Sequence, residues 1–280
     1  LLVNGGLNHR SGINRNYTEW ARTWAALGFT VFRIDIRGLG DSPPDPRAGS
    51  QVLYRDATRE DLLEAMDFLA DRHGVRRFIA LGLCSGGYQS LHTALDDARI
   101  IGVIMLNPLR FERRSDTDPA SRGELAIAPL RHYLHAAVDV GAWKRLIMTR
   151  KDPRPIVRSF VARMGQNVVL RARRMIFELS ALEAPPATWL SGALLSLVAR
   201  GARVLIVFNE DDPMALLLDE KVGPDRAALE RSGRFSVVMV PDSDHIFTPI
   251  VSQERVERTV RRALLEWANV RPPQQVQEGR

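Results

Sequence analysis

The chain has 280 residues, of which 45% are hydrophobic and 26% charged, and carries a net charge of +6. That length exceeds one minimal domain and falls short of two full ones, which predicts one large domain carrying an insertion. No apolar run approaches the roughly 18 residues needed to cross a bilayer, and a lone cysteine excludes an internal disulfide, so composition fits a soluble protein in a reducing, cytoplasmic setting.

In chain order, LLVNGG opens the sequence with neither a basic n-region nor a long apolar stretch, and reads as a buried strand over residues 1–4, not as a secretion signal. It starts without an initiator Met, which leaves room for an upstream portion. A helix follows in which Trp20, Trp24 and Leu27 recur at helical spacing, and then a second strand, TVFRID, over 30–35. Leu62, Met66 and Leu69 share one face of a helix around 61–72, ahead of the strand FIALGL at 78–83. Further strands are VIMLN (103–107), VLIVF (204–208) and FSVVMVP (235–241). The last helix carries Val256, Val260, Leu264 and Trp267 as an apolar stripe, and residues 271–280 read as a disordered tail. Short β-rich runs alternating with helical patterns predict an α/β fold with a mostly parallel sheet and crossover helices.

Nearly a hundred residues separate the strands at 103 and 204, far more than a crossover needs. Within them Leu130 and Leu134, Trp143 and Ile147, and Ile156 and Phe160 mark amphipathic helices, so residues 110–200 are expected to form a helical lid between core segments 1–109 and 201–270. This segment holds 16 Lys and Arg against 8 Asp and Glu, a balance of +8, which leaves the rest of the chain at −2. An anionic partner such as a carrier protein or a coenzyme A ester, an anionic membrane surface, and plain solvation of an arginine-rich lid are all consistent with that charge. No recognition motif for nucleic acid accompanies it.

The most informative stretch is GLCSGG at 82–87. A sharp strand-to-helix turn that lifts a nucleophile needs small residues two positions to either side, because strand and helix pack too closely there for side chains. Centred on Cys84 these positions are Gly82 and Gly86; centred on Ser85 one of them becomes Leu83. Cys84 is therefore the better-placed nucleophile, at a helix N-terminus that favours its thiolate, with Ser85 supplying a backbone N–H or serving as the fallback. Downstream, NEDDP follows VLIVF and DSDHIFTP follows FSVVMVP, which gives the chain order nucleophile, acid, histidine with Asp212 and His245. His245 could instead be a loop histidine bonded to Asp242 or Asp244. His132 and His135 are spaced as a metal pair could be, but no Cys or carboxylate cluster completes a site, so no metal or other cofactor is expected. His9 lies in the loop after the first strand.

With these motifs the sequence resembles the α/β-hydrolase superfamily over essentially its whole length. The resemblance places the acid at Asp212, with Asp211 as its neighbour and Asn209 where a glycine is usual. It also places NGGLNH (4–9) where an oxyanion loop stands, a backbone N–H from Gly6 or Leu7 pairing with that of Ser85. DIRGLGDSP (35–43) matches a structural loop of the same superfamily. GLCSGGY, MLNPLRF and DHIFTP resemble bacterial serine-aminopeptidase-like hydrolases associated with polysaccharide or natural-product assembly. The resemblance implies a metal-independent acyl hydrolase or acyltransferase, of esterase or thioesterase type, working through an acyl-cysteine. The competing expectation is a non-catalytic binding scaffold on the same fold.

Overall fold

The computed structural model describes residues 1–44, 54, 56–112, 188–210, 212–223 and 225–269. Among these, six strands form one parallel sheet: β1 (Leu2–Val3), β2 (Arg33–Ile34), β3 (Phe78–Leu83), β4 (Ile100–Leu106), β5 (Arg203–Asn209) and β6 (Phe235–Val240), in the spatial order β2-β1-β3-β4-β5-β6. The helices are α1 (Asn16–Ala26), α2 (Asp56–His73), α3 (Ser85–Asp96), α4 (Trp189–Ala199), α5 (Pro213–Val222), α6 (Arg226–Arg231) and α7 (Ile250–Trp267). Two compact units are present: Leu1–Phe111, Ala193–Asp212 and Leu229–Arg280 in the first, Glu112–Gly192 and Pro213–Ala228 in the second.

Strands covered on both faces read as continuous apolar runs, and β3, β4 and β5 are of that kind. Side chains alternate between faces. Leu81, Leu83, Ile104, Leu106, Leu205 and Val207 join Trp20 and Trp24 of α1 and Val260, Leu264 and Trp267 of α7 in one buried cluster. Val3, Gly82, Met105 and their alternates face the other way, where Gly87 of α3 packs over Met105. Gly102 is a notch on the α7 side of β4: a Cβ there would come 2.5 Å from the Trp267 ring.

Two predicted strands are shorter than expected. The run at 1–4 contributes only Leu2–Val3, and the run at 30–35 only Arg33–Ile34. The register explains both. β2 is an edge strand paired through Leu2↔Arg33 and Val3↔Ile34, so its length is limited by β1, and β1 ends where the chain turns away at Gly5 and Gly6. In contrast α2 begins earlier than 61, at Asp56, and β4 begins at Ile100. The expected lid helices between 113 and 187, with His132 and His135, lie outside the described residues, as do Asp211 and the tail at 271–280.

In the second unit, Thr188 caps the start of α4 by accepting the Ser191 N–H at 3.2 Å, and its hydroxyl donates to the Lys221 carbonyl at 2.8 Å. Among the described residues no helix is long and apolar enough to cross a membrane.

Candidate active site

The elbow is built by three glycines at one crossing of strand and helix. A Cβ on Gly82 would lie 2.1 Å from the Gly86 carbonyl carbon, one on Gly86 2.5 Å from the Asn4 carbonyl oxygen, and one on Gly87 3.0 Å from the Gly82 oxygen. These are backbone contacts, which no rotamer change relieves. The close approach forces Cys84 into φ 56°, ψ −118°, a region that L residues seldom occupy and that stores about 1–3 kcal/mol of strain. Around it the backbone is pinned. The Cys84 N–H donates to Leu106 O at 2.8 Å, and the Leu83 N–H donates to the Tyr17 hydroxyl at 2.9 Å, which itself donates to Val3 O at 3.2 Å. Tyr17 thereby ties α1 to β1 and to the last residue before the turn; its burial pushes the phenol pKa above the usual range.

Cys84 is partly exposed, whereas Ser85 is buried. The Gly6 N–H donates to Ser85 Oγ at 2.9 Å. This geometry separates the two amides that the sequence left as alternatives: Gly6 is engaged by the serine, while the Leu7 N–H has no partner among the described residues. The loop that carries both is held by Asn4, whose carboxamide donates to Asn8 O (2.7 Å) and Asp35 Oδ1 (3.0 Å) and accepts the Ile36 N–H (3.1 Å). Asp35 also receives the Arg10 N–H (2.6 Å) and guanidinium (2.5 Å), so the DIRGLGDSP segment acts on the loop before the elbow.

His245 follows β6 on a loop whose fixed points are Phe247, fully buried at φ 53°, and the Asp244 carboxylate, which accepts the Ile246 and Thr248 N–H groups at 3.2 and 2.8 Å. Asp244 is thus committed to its own turn. The imidazole faces Asp212 instead, with Nδ1 3.5 Å from Oδ2. That is ion-pair range, beyond a normal hydrogen bond. Nε2 is buried with no hydrogen-bond partner among the described residues. Asp212 first and the sulfur of Cys84 second raise the imidazole pKa from 6.5 to about 9, against the opposing effect of burial. The predicted nucleophile, acid and base are therefore brought into one electrostatic group at the C-terminal edge of the sheet.

Three contributors were missed in the sequence. Asn107 is fully buried at φ 40° just past β4; its Nδ2 donates to the His245 main-chain oxygen at 2.7 Å and its Oδ1 accepts the Asn209 N–H at 2.7 Å. A carboxamide carries no charge, and a lone Asn after a strand gives no hint that it spans the loops of Asn209 and His245. Tyr17 precedes Trp20 by three residues, so extending the α1 stripe one turn would have found it. Tyr54 lies against Tyr88 of α3 and carries no sequence signal of its own.

His9 lies apart from this group, with Nε2 3.2 Å from Asp41 Oδ2. His9, Asp35 and Asp41 offer ligand atoms within 4.8 Å of one another, but Arg10 supplies the positive charge there, 2.5 Å from Asp35 Oδ2 and 2.8 Å from Asp41 Oδ2. His92 is buried and bonded through Nε2 to Phe111 O at 2.8 Å.

The sequence model described as "Alpha/beta hydrolase family" matches residues 1–261. The chain belongs to the alpha/beta hydrolase family. Solved structures similar to this alpha/beta hydrolase include alpha/beta hydrolase GrgF from Penicillium sp. sh18, at 16% identity and a TM-score of 0.50, covering 96% of this chain and 88% of that one. Mouse alpha/beta hydrolase domain-containing protein 10 matches at 17% identity and a TM-score of 0.48, over 95% and 88% of the two chains. An alpha-beta serine hydrolase homologue from Coxiella burnetii matches at 14% identity and 0.44, over 94% and 85%. These likenesses concern the fold. No curated protein matches the chain.

Proposed function

We propose that the protein is an acyl hydrolase or acyltransferase, of esterase or thioesterase type, that works through an acyl-cysteine on Cys84. The observation that carries this reading is the register of the elbow: Cys84 holds the strained, partly exposed crest, while Ser85 is buried and its oxygen is taken by Gly6 N–H. In this reading Cys84 passes its thiol proton to His245 Nε2, the sulfur donates an electron pair to the substrate carbonyl carbon, and the developing oxyanion is met by the Ser85 and Leu7 N–H groups. Gly6 holds their loop against the elbow. As the tetrahedral intermediate collapses, the carbon–heteroatom bond breaks and His245 Nε2–H gives its proton to the departing alcohol or thiol. Water or a second acceptor, deprotonated by His245, then attacks the thioester and restores the thiol. Asp212 keeps the imidazole oriented and stabilises its cation. A thioester intermediate reacts readily with amines and thiols as well as water, so the cysteine suits transfer as much as hydrolysis; a place beside a biosynthetic assembly pathway fits that chemistry.

The test is intact mass after exposure to p-nitrophenyl acetate and to an acyl thioester. An acyl adduct that disappears in Cys84→Ala and persists in Ser85→Ala supports the reading. Turnover that survives Cys84→Ala and dies in Ser85→Ala overturns the register, and no adduct with any donor favours a binding scaffold.

A further inference from the structure

The post-β4 loop brings a cation to the aromatic side chains next to the elbow. Arg110 lies four residues past the end of β4, at the same C-terminal sheet edge as Cys84, and its guanidinium carbon stands 5.0 Å over the Tyr54 ring. Tyr54 meets Tyr88 edge-on with ring centroids 5.0 Å apart, and Tyr88 sits in the first turn of α3, the turn that Cys84 caps. Tyr88 in turn packs on His92 at 4.2 Å, and His92 holds Phe111 O, so the wall closes back on the loop that carries Arg110. Burial and the Cys84 sulfur raise the Tyr54 phenol pKa, while Arg110 acts in the opposite direction, so both groups are felt at one phenol. Arg110 is half-buried and has no carboxylate partner among the described residues, unlike Arg37, Arg59, Arg99 and Arg203, each of which pairs with an acid. A half-buried guanidinium held on an aromatic ring next to Cys84, with no carboxylate against it among the described residues, is suited to an incoming anion.

We propose that Arg110, positioned by Tyr54, recognises a negatively charged group on the substrate, so that the preferred acyl donors are anionic. This deepens the acyl-transfer reading and rests on it for the word substrate, but its first test does not need turnover. Cys84 is the only cysteine, so alkylation reports on one site. Iodoacetate and iodoacetamide are nearly the same size and differ in charge. Their rate ratio at Cys84 should fall about three- to tenfold in Arg110→Gln and recover largely in Arg110→Lys, the range expected for one partly screened charge. Arg76→Gln, which removes an equal charge from the loop before β3, at the opposite sheet edge, should leave the ratio within twofold of wild type. A ratio unaltered in Arg110→Gln, or altered equally in Arg76→Gln, overturns the proposal.

Two matched substrate pairs then locate the anion. Mono-p-nitrophenyl glutarate against p-nitrophenyl valerate places a carboxylate on the acyl chain; S-acetyl-4′-phosphopantetheine against S-acetylpantetheine places a phosphate on the leaving group. Preference for the charged member in either pair, reduced in Arg110→Gln, supports the proposal and names the source; turnover of the neutral members without preference for the charged ones counts against Arg110 alone. No turnover of any member would sink the acyl-transfer reading and leave the alkylation ratio to decide Arg110.

Discussion

Replacing Asp212 by Asn keeps an oxygen facing His245 Nδ1 and removes the charge. Asp212 is buried, and it is the first cause of the lift of the His245 imidazole from 6.5 to about 9. That lift corresponds to about 3 kcal/mol of preference for the imidazolium. About a third of the imidazole side chain is exposed and Cys84 supplies part of the effect, so we assign Asp212 about 2 kcal/mol after allowing for solvent screening. Asp212→Asn should therefore lower the imidazole pKa by roughly 1.5, and slow acyl transfer by about 30-fold if the whole of that preference is expressed in the transition state. The stability change has a definite sign with pH. Because the folded value lies above the unfolded one, the pair's contribution is complete below pH 6.5, declines as pH rises towards about 9, and is gone above it. Denaturant midpoints of the wild type and variant should thus differ most near pH 6 and converge by about pH 10. The assay is a proton NMR titration of the His245 ring, run beside the denaturation series. An imidazole that titrates within 0.5 of wild type in Asp212→Asn, or a stability gap that widens with pH, would refute the assignment of Asp212 as its electrostatic partner.

Other perturbations separate the elbow from its supports. Gly82→Ala sets a methyl against the Gly86 carbonyl carbon at 2.1 Å, so strand and helix must part; we expect a loss of about 3 kcal/mol or more in urea denaturation and abolished acylation of Cys84. Gly28→Ala, at φ +93° with nothing within 4 Å, should cost only backbone strain of about 1–2 kcal/mol and keep the acylation rate. Tyr17→Phe orphans the buried Leu83 N–H and should cost about 1–3 kcal/mol, with a slower alkylation of Cys84 if the elbow loosens as the tie is lost. Asn107→Asp keeps the acceptor for Asn209 N–H and loses the donor to His245 O; a shifted His245 titration in this variant, at a stability closer to wild type than Asn107→Ala, identifies Asn107 as a positioning residue for the histidine.

What could be read from the sequence and what could not divide along one physical line. The apolar runs of β3, β4, β5 and β6 and the glycines around Cys84 are visible because strand burial and the turn are set by neighbours in the chain: an unbroken apolar run, or a small residue two places away. The order of Cys84, Asp212 and His245 is visible for the related reason that each follows a strand. The ends of β1 and β2 were overrun because pairing length is fixed by the partner strand and not by the apolar run itself. Asn107 and His245 are 138 residues apart, and no spacing encodes the bond between them. Gly6 shows both halves of this division. Its conformational freedom, φ +56°, is what a Gly-Gly turn after the first strand leads one to expect, yet the destination of its N–H depends on where Ser85 arrives 79 residues later. A motif can therefore name the residue types of a Gly-Gly loop and still leave Gly6 and Leu7 as equals; it is Ser85 that tells them apart, by accepting the Gly6 N–H while the Leu7 N–H has no partner among the described residues.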